Sequence, residues 1–342
     1  MKANIAALGL PPGLDRPSNS PTKFFCGDSL EIQTILVPVD FSRQSFQAVD
    51  FALALARRFG ASLHLVYVYE GKPRFQSLVN TPELFSDPAI ELFSDREIAG
   101  RLKNEMQRRF SVDVRPQHCH FRSGRPSPEI CAVADKLNAD LVVIATHGRT
   151  GLKHLMLGST AEKVIRHAHC PVLVVREATR GPIKTAAQGI VLEKILVPVD
   201  FSECAREGAR YASFFATRVG ADLVLMNVTS PLNHTASDPT FVPPDWPELV
   251  ETARLSAADK LDEMVNFLPL VGISAETELA VGTPIEKLIE RTEHPDIDMV
   301  ITSTHGYTGL RHVLIGSTAE QLVRLAHCPV LVVPSHCRHI PV

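Results

Sequence analysis

Short apolar runs alternate with longer stretches of helical period along this chain, and the alternation is played through twice. Residues 34–39 and 62–69 are short, mainly apolar runs rich in β-branched residues, and 140–145 (DLVVIA) is apolar after its aspartate. Runs of that kind predict strands buried on both faces, as in parallel sheets covered by crossover helices. Between the first two, Phe46, Val49, Phe51, Leu53, Leu55 and Phe59 keep a helical spacing. That helix starts after Ser42, whose hydroxyl suits an N-cap, and stops at Gly60. The pattern then predicts a helix over 90–110, a strand over 113–122, a helix over 128–137, another opening at Ser159, and a fifth strand over 172–176. The second pass predicts strands over 194–199, 222–228, 274–280, 298–303 and 330–333. Its helices fall over 204–219 and 247–268, after Pro284 and from Ser317.

Alternating strands and helices of this length favour a parallel sheet with helices on both faces, because right-handed crossovers leave few other arrangements. The predicted class is α/β, doubly wound, present in two tandem copies.

The duplication is visible in the letters themselves. Residues 146–175 (THGRTGLKHLMLGSTAEKVIRHAHCPVLVV) and 304–333 (THGYTGLRHVLIGSTAEQLVRLAHCPVLVV) agree at 21 of 30 positions, at an offset of 158. Upstream, residues 35–42 (ILVPVDFS) recur unchanged as 195–202, at an offset of 160. A repeat of that length is a domain rather than a solenoid unit, whose periods run roughly 20–50 residues. The expected organisation is an N-terminal arm rich in Pro, Gly and Ser (1–32), a first domain (33–176), a short linker (177–192), a second domain (193–334) and a tail (335–342).

Composition narrows the classes of partner. The formal net charge is −3 over 342 residues, which gives no electrostatic footprint for nucleic acid and no polybasic patch for a membrane surface. No apolar run approaches the roughly 18 residues of a membrane span, and the first residues are too short and too broken by Gly and Pro for a secretory signal. The seven cysteines form no C-x-x-C pair, so a reducing, cytoplasmic setting is expected.

The candidate chemistry lies in the repeated stretch. Gly148, Gly151 and Gly158, and again Gly306, Gly309 and Gly316, follow a buried strand and precede a helix. Backbone N–H groups at such places approach an anion with no Cβ in the way. Ser159-Thr160-Ala161-Glu162 and Ser317-Thr318-Ala319-Glu320 read as capping boxes, which would begin helices whose free N–H groups and dipole favour phosphate. In an open α/β sheet the ligand crevice lies beyond the carboxyl ends of the strands, where the strand order switches. Asp40 and Asp200, at the ends of the first strands, face that crevice in this reading.

The loop and helix start resemble the nucleotide-binding signature of the universal stress protein family, Gly-x-x-Gly, nine residues, then Gly-Ser/Thr. Gly148 is followed by nine residues and Gly158-Ser159, and Gly306 by nine residues and Gly316-Ser317. The first signature glycine falls on Ala145 and on Ser303, a departure in both copies that adds a Cβ. The resemblance covers nearly all of 33–176 and 193–333. It implies a tandem member with two Rossmann-like sheets of the adenine nucleotide alpha hydrolase type, five parallel strands each, in the order 3-2-1-4-5. It further implies that Pro38, Val39 and Asp40 sit by adenine and ribose, with Val68 lining the base pocket. Ala145, Thr146, His147, Gly148, Arg149, Thr150 and Gly151, with Gly158, Ser159, Thr160 and Ala161, would hold ribose and phosphates. The second set is Pro198, Val199, Asp200 and Val228, then Ser303, Thr304, His305, Gly306, Tyr307, Thr308 and Gly309, then Gly316, Ser317, Thr318 and Ala319. The ligand implied is ATP, or AMP or ADP, with Mg²⁺ carried on the nucleotide.

The implied role is sensing or regulation in the stress response through bound nucleotide, with at most slow hydrolysis, since no strong base or arginine finger stands out. No Walker lysine follows Gly158 or Gly316. The alternative is a scaffold from the non-nucleotide-binding branch, acting through protein–protein contacts, which Ala145 and Ser303 would favour. An adenylyl-transferring enzyme ranks below both, because the place of its Ser-Gly-Gly or His-Ile-Gly-His motif reads Pro38-Val39-Asp40-Phe41-Ser42. The histidines and cysteines at 118–120, 169–170 and 327–328 do not assemble into paired zinc ligands, so no metal site is assigned. Two domains in one chain could form an intramolecular pseudo-dimer through their last strands, and a homodimer is a further arrangement.

Overall fold

The computed structural model describes residues 31–69, 95–110, 116–146, 158–176, 185–186, 189–229, 246–304 and 316–335. The first half runs β1 (Thr34–Pro38), α1 (Arg43–Phe59), β2 (Ser62–Tyr69), α2 (Asp95–Phe110), a 3₁₀ turn (Pro116–His118), β3 (Cys119–Ser123), α3 (Pro126–Leu137), β4 (Leu141–Ala145), α4 (Ser159–His167) and β5 (Val172–Val175). A small hairpin, β6 (Thr185–Ala186) and β7 (Gly189–Ile190), follows. The second half repeats the plan: β8 (Lys194–Pro198), α5 (Glu203–Val219), β9 (Asp222–Thr229), α6 (Trp246–Phe267), β10 (Ala275–Val281), α7 (Pro284–Thr292), β11 (Ile297–Ser303), α8 (Ser317–Leu325) and β12 (Val330–Val333).

The strands join into one ten-stranded sheet, ordered β10-β9-β8-β11-β12-β5-β4-β1-β2-β3. Each half is parallel in the order 3-2-1-4-5, and the halves meet through an antiparallel pair, with Leu331 opposite Leu173. The last strands therefore pair with each other, closing two edges that would otherwise present unpaired N–H and C=O groups. Arg176 Nη1 ties the junction further by donating to the Ala326 carbonyl at 3.1 Å.

Strand alternation divides the core into two layers. On one face Ile35, Val37, Leu65 and Val143 join α1 and α2, and Ile195, Val197 and Leu225 join α5 and α6. On the other face Leu36, Val66, Val142 and Val174 pack under α3 and α4, and Leu196, Val224, Val300 and Val332 under α7 and α8. Phe59 of α1 and Phe215 of α5 touch at 5.5 Å between ring centroids, so the first layer runs unbroken across both halves. Burying an aliphatic side chain of this size stabilises by about 1.5–3 kcal/mol.

Local signals explain the helix ends. Ser42 Oγ accepts from Ser45 N at 3.1 Å, and Ser202 Oγ from Ala205 N at 3.1 Å, which caps α1 and α5. Gly60 and Gly220 end those helices in the left-handed region, with φ of 70° and 77°. The strand expected over 113–122 is shorter, because Pro116 opens a 3₁₀ turn and pairing with β2 begins at Cys119. Ile32, placed in the arm by its surroundings in the sequence, is 2 % exposed, and Ile190 and Leu192 of the expected linker are also buried. Their side chains join the α1 face of the core, so both segments contribute packing that their Pro- and Gly-rich neighbourhoods concealed.

Candidate functional site

In each half the strand order switches between the first and fourth strands, and the chain turns away from their carboxyl ends in opposite directions. After β1 it enters α1 on one face, and after β4 it reaches α4 on the other. The described candidate residues lie along these two turns and the strands beside them.

The first wall is built on the end of β1. Val39 N donates to Val66 O at 2.8 Å and Val199 N to Met226 O at 2.9 Å, so pairing continues past each strand and fixes the next residue. Asp40 Oδ1 accepts from Ser42 N at 2.9 Å, and Asp200 Oδ1 accepts from Ser202 N at 3.0 Å and from Ser202 Oγ at 2.6 Å. Phe41 and Phe201 between them adopt φ of 65° and 62°. A non-glycine residue there costs on the order of 1–3 kcal/mol, and such strain persists where the surroundings over-determine it. Here rings and cations do so: Phe41 lies 5.4 Å from Tyr67 and under the Arg101 guanidinium at 4.5 Å, and Phe201 under Lys260 Nζ at 5.5 Å. The same strained turn occurs in both halves and sets an aspartate at the carboxyl end of the first strand.

The second wall is the end of β4 and the start of α4. Thr146 N donates to Val175 O at 3.1 Å, and Gly158 N to Thr146 O at 2.8 Å; the matching bonds in the second half are 2.9 Å from Thr304 and 2.7 Å from Gly316. Each glycine-bearing segment thus leaves and re-enters the fold at one point. His147, Gly148, Arg149, Thr150 and Gly151, and His305, Gly306, Tyr307, Thr308 and Gly309, lie outside the described residues.

The helix starts differ from the expected capping boxes. The N-caps are Gly158 and Gly316, whose carbonyls accept from Glu162 N and Glu320 N at 3.0 Å each, so Ser159 and Ser317 are already inside the first turn. Glu162 is drawn to Arg166 at 2.7 Å and Glu320 to Arg324 at 3.5 Å instead of closing a box. With glycine at the cap, the N-cap residue has no side chain to accept from the first-turn N–H groups. Four such groups in a helix lack intrahelical partners, and together with the dipole they suit an anion. Ser159, Thr160 and Ala161 in α4, and Ser317, Thr318 and Ala319 in α8, carry these N–H groups.

Ala145 and Ser303 fall on the first signature glycine. Their side chains point to the α1 and α5 layer: Ala145 packs against the core that holds Ala48, and a Cβ built on Gly208 of α5 would lie 3.4 Å from Ser303 Cβ. Pro38 and Pro198 close the first strands, and Val68 and Val228 pack on the opposite core layer, under α3 and α7. The described members of the predicted set thus lie at the ends of the first, second and fourth strands and at the helix start after the fourth, on both core layers.

Sequence reasoning passed over one ingredient here, the strained phenylalanines; an aromatic followed by a capping serine carries no usual sign of a positive φ. The remaining chemistry-bearing side chains sit elsewhere. His169 Nδ1 is 3.0 Å from Asp135 Oδ1, and His327 Nδ1 is 3.5 Å from Thr292 Oγ1. Burial, with Asp135 as a smaller cause, pushes the Cys131 thiol up to about 11, and burial also raises Cys119; thiols of that kind are inert packing. Among the described residues no group of three or more His, Cys, Asp or Glu is placed to hold a metal ion, and no helix is long and apolar enough to cross a membrane.

Two doubly wound parallel α/β units of strand order 3-2-1-4-5 define the class. The sequence profile of the universal stress protein family matches residues 31–176 and 192–334. The chain belongs to that family, and its two matches make it a tandem member. It is 37% identical over 145 residues to universal stress protein MJ0531 of Methanocaldococcus jannaschii, covering 42% of this chain and 81% of that one. A universal stress protein of Mycolicibacterium smegmatis is 26% identical over 306 residues, covering 87% and 96%. Among solved structures, a universal stress protein from Archaeoglobus fulgidus shares the fold with a TM-score of 0.52 at 18% identity, covering 88% of this chain and 98% of that one.

Proposed function

We propose that each half binds an adenine nucleotide, ATP or its AMP or ADP relatives, between its first and fourth strands, and that occupancy serves a regulatory role in the stress response. The observation that carries this reading is the uncapped helix start. Gly158 and Gly316 leave the first-turn N–H groups of α4 and α8 without N-cap side-chain acceptors, at the carboxyl edge where the strand order switches. A triphosphate supplies those acceptors, and its Mg²⁺, a hard cation that takes oxygen ligands and keeps several waters, travels on the phosphates. Asp40 and Asp200, anchored by their own Ser42 and Ser202 amides, offer carboxylate oxygens to ribose hydroxyls.

The scaffold alternative drew its support from Ala145 and Ser303. The Cβ of the second lies against Gly208, and the first packs on the α1 layer, which supports the nucleotide reading over the scaffold.

Melting of the full chain with and without millimolar ATP and Mg²⁺ tests the proposal. Ligand at 100 times Kd stabilises by about 2.7 kcal/mol, which reads as an upward shift of several degrees. An unchanged melting curve together with no heat in titration calorimetry would reject it.

A further inference from the structure

Five basic side chains gather on the outer strands of the first half. His64 Nδ1 of β2 lies 3.0 Å from His120 Nε2 of β3, and the His118 ring lies 4.4 Å from that of His64. Arg122 of β3 and Lys136 of α3 add permanent charge, and both act on His120. Arg122 Nε is buried, and among the described residues no group accepts a hydrogen bond from it. A buried donor left unmatched costs about 1–3 kcal/mol, more when charged.

The second half, built on the same plan, resolves these positions differently. His118, His120 and Arg122 correspond in register to Glu276, Glu278 and Ala280, and His64 to Val224. There Glu276 binds Lys194 at 2.8 Å, and Glu278 binds Arg291 at 2.9 Å. The second half balances its charges at this edge, and the first collects cations with, among the described residues, no carboxylate ion-paired to Arg122 or Lys136. Around the histidines, β1 contributes the apolar Leu36 and β2 the apolar Val66 and Val68, the 3₁₀ turn contributes His118, β3 contributes Arg122 and α3 contributes Lys136.

We infer that this cluster is an anion-binding subsite for a phosphate-bearing small molecule, with Arg122 and Lys136 as its permanent charges and His120 as a donor that strengthens on protonation. An oxyanion on the Arg122 guanidinium offsets the clustered charge, because charge-assisted hydrogen bonds to guanidinium are the strong ones. For an anion of fixed charge, affinity then rises as His120 takes up its proton, which burial first and then Arg122, Lys136 and His118 hold below the ordinary histidine range. The inference stands apart from the nucleotide crevice, since its probe is inorganic phosphate and its readout is local.

The experiment follows the histidine ring resonances of the full chain by NMR across the neutral and acid range, in chloride and in inorganic phosphate at equal ionic strength. Phosphate should raise the titration midpoint of His120 and leave that of His327 in the second half unmoved. Arg122→Gln and, separately, the exposed Lys136→Gln should each weaken phosphate binding by about tenfold while leaving the melting curve in chloride close to wild type. A His120 midpoint indifferent to phosphate would overturn the assignment, as would a phosphate response of equal size in both variants and the wild type.

Discussion

Gly208 of α5 and Ser303 at the end of β11 are in direct contact, with a Cβ added at Gly208 falling 3.4 Å from Ser303 Cβ and 3.5 Å from its backbone nitrogen. That spacing admits a methyl group and little more. Gly208→Ala should therefore be neutral or stabilising by up to about 1 kcal/mol, because alanine removes the helix penalty of an interior glycine. Gly208→Val overpacks the same contact and should cost about 1–3 kcal/mol. Thermal denaturation of the two variants reads both signs; a large loss in the alanine variant would mean that the contact is tighter than the geometry gives.

The same contact predicts what restoring the signature glycine does. The Ser303 side chain faces α5, so Ser303→Gly removes no obstacle from the crevice, and Ala145→Gly removes only a contact with the α1 layer. Calorimetric affinity for ATP should change by less than about threefold in either variant, since surface-distant truncations alter binding by under about 0.7 kcal/mol when no contact is lost. A gain of tenfold or more would show that the added Cβ atoms do crowd the phosphates.

Charge at the helix starts separates ligand binding from stability. An acidic residue in the first turn favours the dipole by about 0.3–1 kcal/mol. Ser159→Asp and Ser317→Asp should therefore keep or raise the melting temperature while repelling a phosphate from α4 and α8. In the double variant the ATP-induced melting shift should vanish. If the shift survives at full size, the phosphates do not rest on these helices.

Much of this architecture is legible in the letters, and the reasons are physical. Runs such as 141–145 and 172–175 are apolar at every position because both sheet faces are covered, and the recurrence of ILVPVDFS announces that one half repeats the other. The helix starts were legible in position and not in chemistry. Ser-x-x-Glu is a capping box only if the serine stands outside the helix, and a glycine one place earlier takes the cap here. Contacts between distant residues were not legible at all. Nothing local says that Gly208 meets Ser303, or that histidines 56 positions apart, His64 and His120, share a hydrogen bond. Ile32 and Ile190 were hidden for a related reason: one apolar residue in a Pro- and Gly-rich segment has no period to betray its burial.

Asp140 is another such long-range contact. It is 3 % exposed, and its Oδ2 accepts from Gln33 N and Thr34 N at 2.8 Å each, which pins the start of β1 to the start of β4. Asp298 serves the second half with bonds of 2.6 Å from Glu193 N and 3.3 Å from Lys194 N. Hydrogen bonds to a charged group contribute about 1.5–3 kcal/mol, so Asp140→Ala should lower stability by at least about 2 kcal/mol in urea denaturation. The more exposed Asp298→Ala should cost less. Equal losses would mean that burial adds nothing to the staple.

Acid should weaken the first half through His64. Burial is the main cause, with the charges of His118 and His120 adding to it, and together they hold the His64 ring at a pKa of about 4 against an ordinary 6.5. The unfolded chain takes up this proton as the pH drops below about 6.5, while the folded chain resists until about 4. Stability linked to His64 is therefore complete above that range and is lost progressively as the pH falls through it. Discounted for the ring's partial exposure, the loss between pH 7 and pH 5 is about 1 kcal/mol. His64→Val copies Val224, the residue at the matching register position of the second half. Urea midpoints measured in chloride at the two pH values should fall further for the wild type than for His64→Val. The choice of buffer matters, because phosphate at the neighbouring His120 would offset the charge that His64 resists. Parallel losses in the two proteins would mean that the ring titrates in the fold as it does in the unfolded chain.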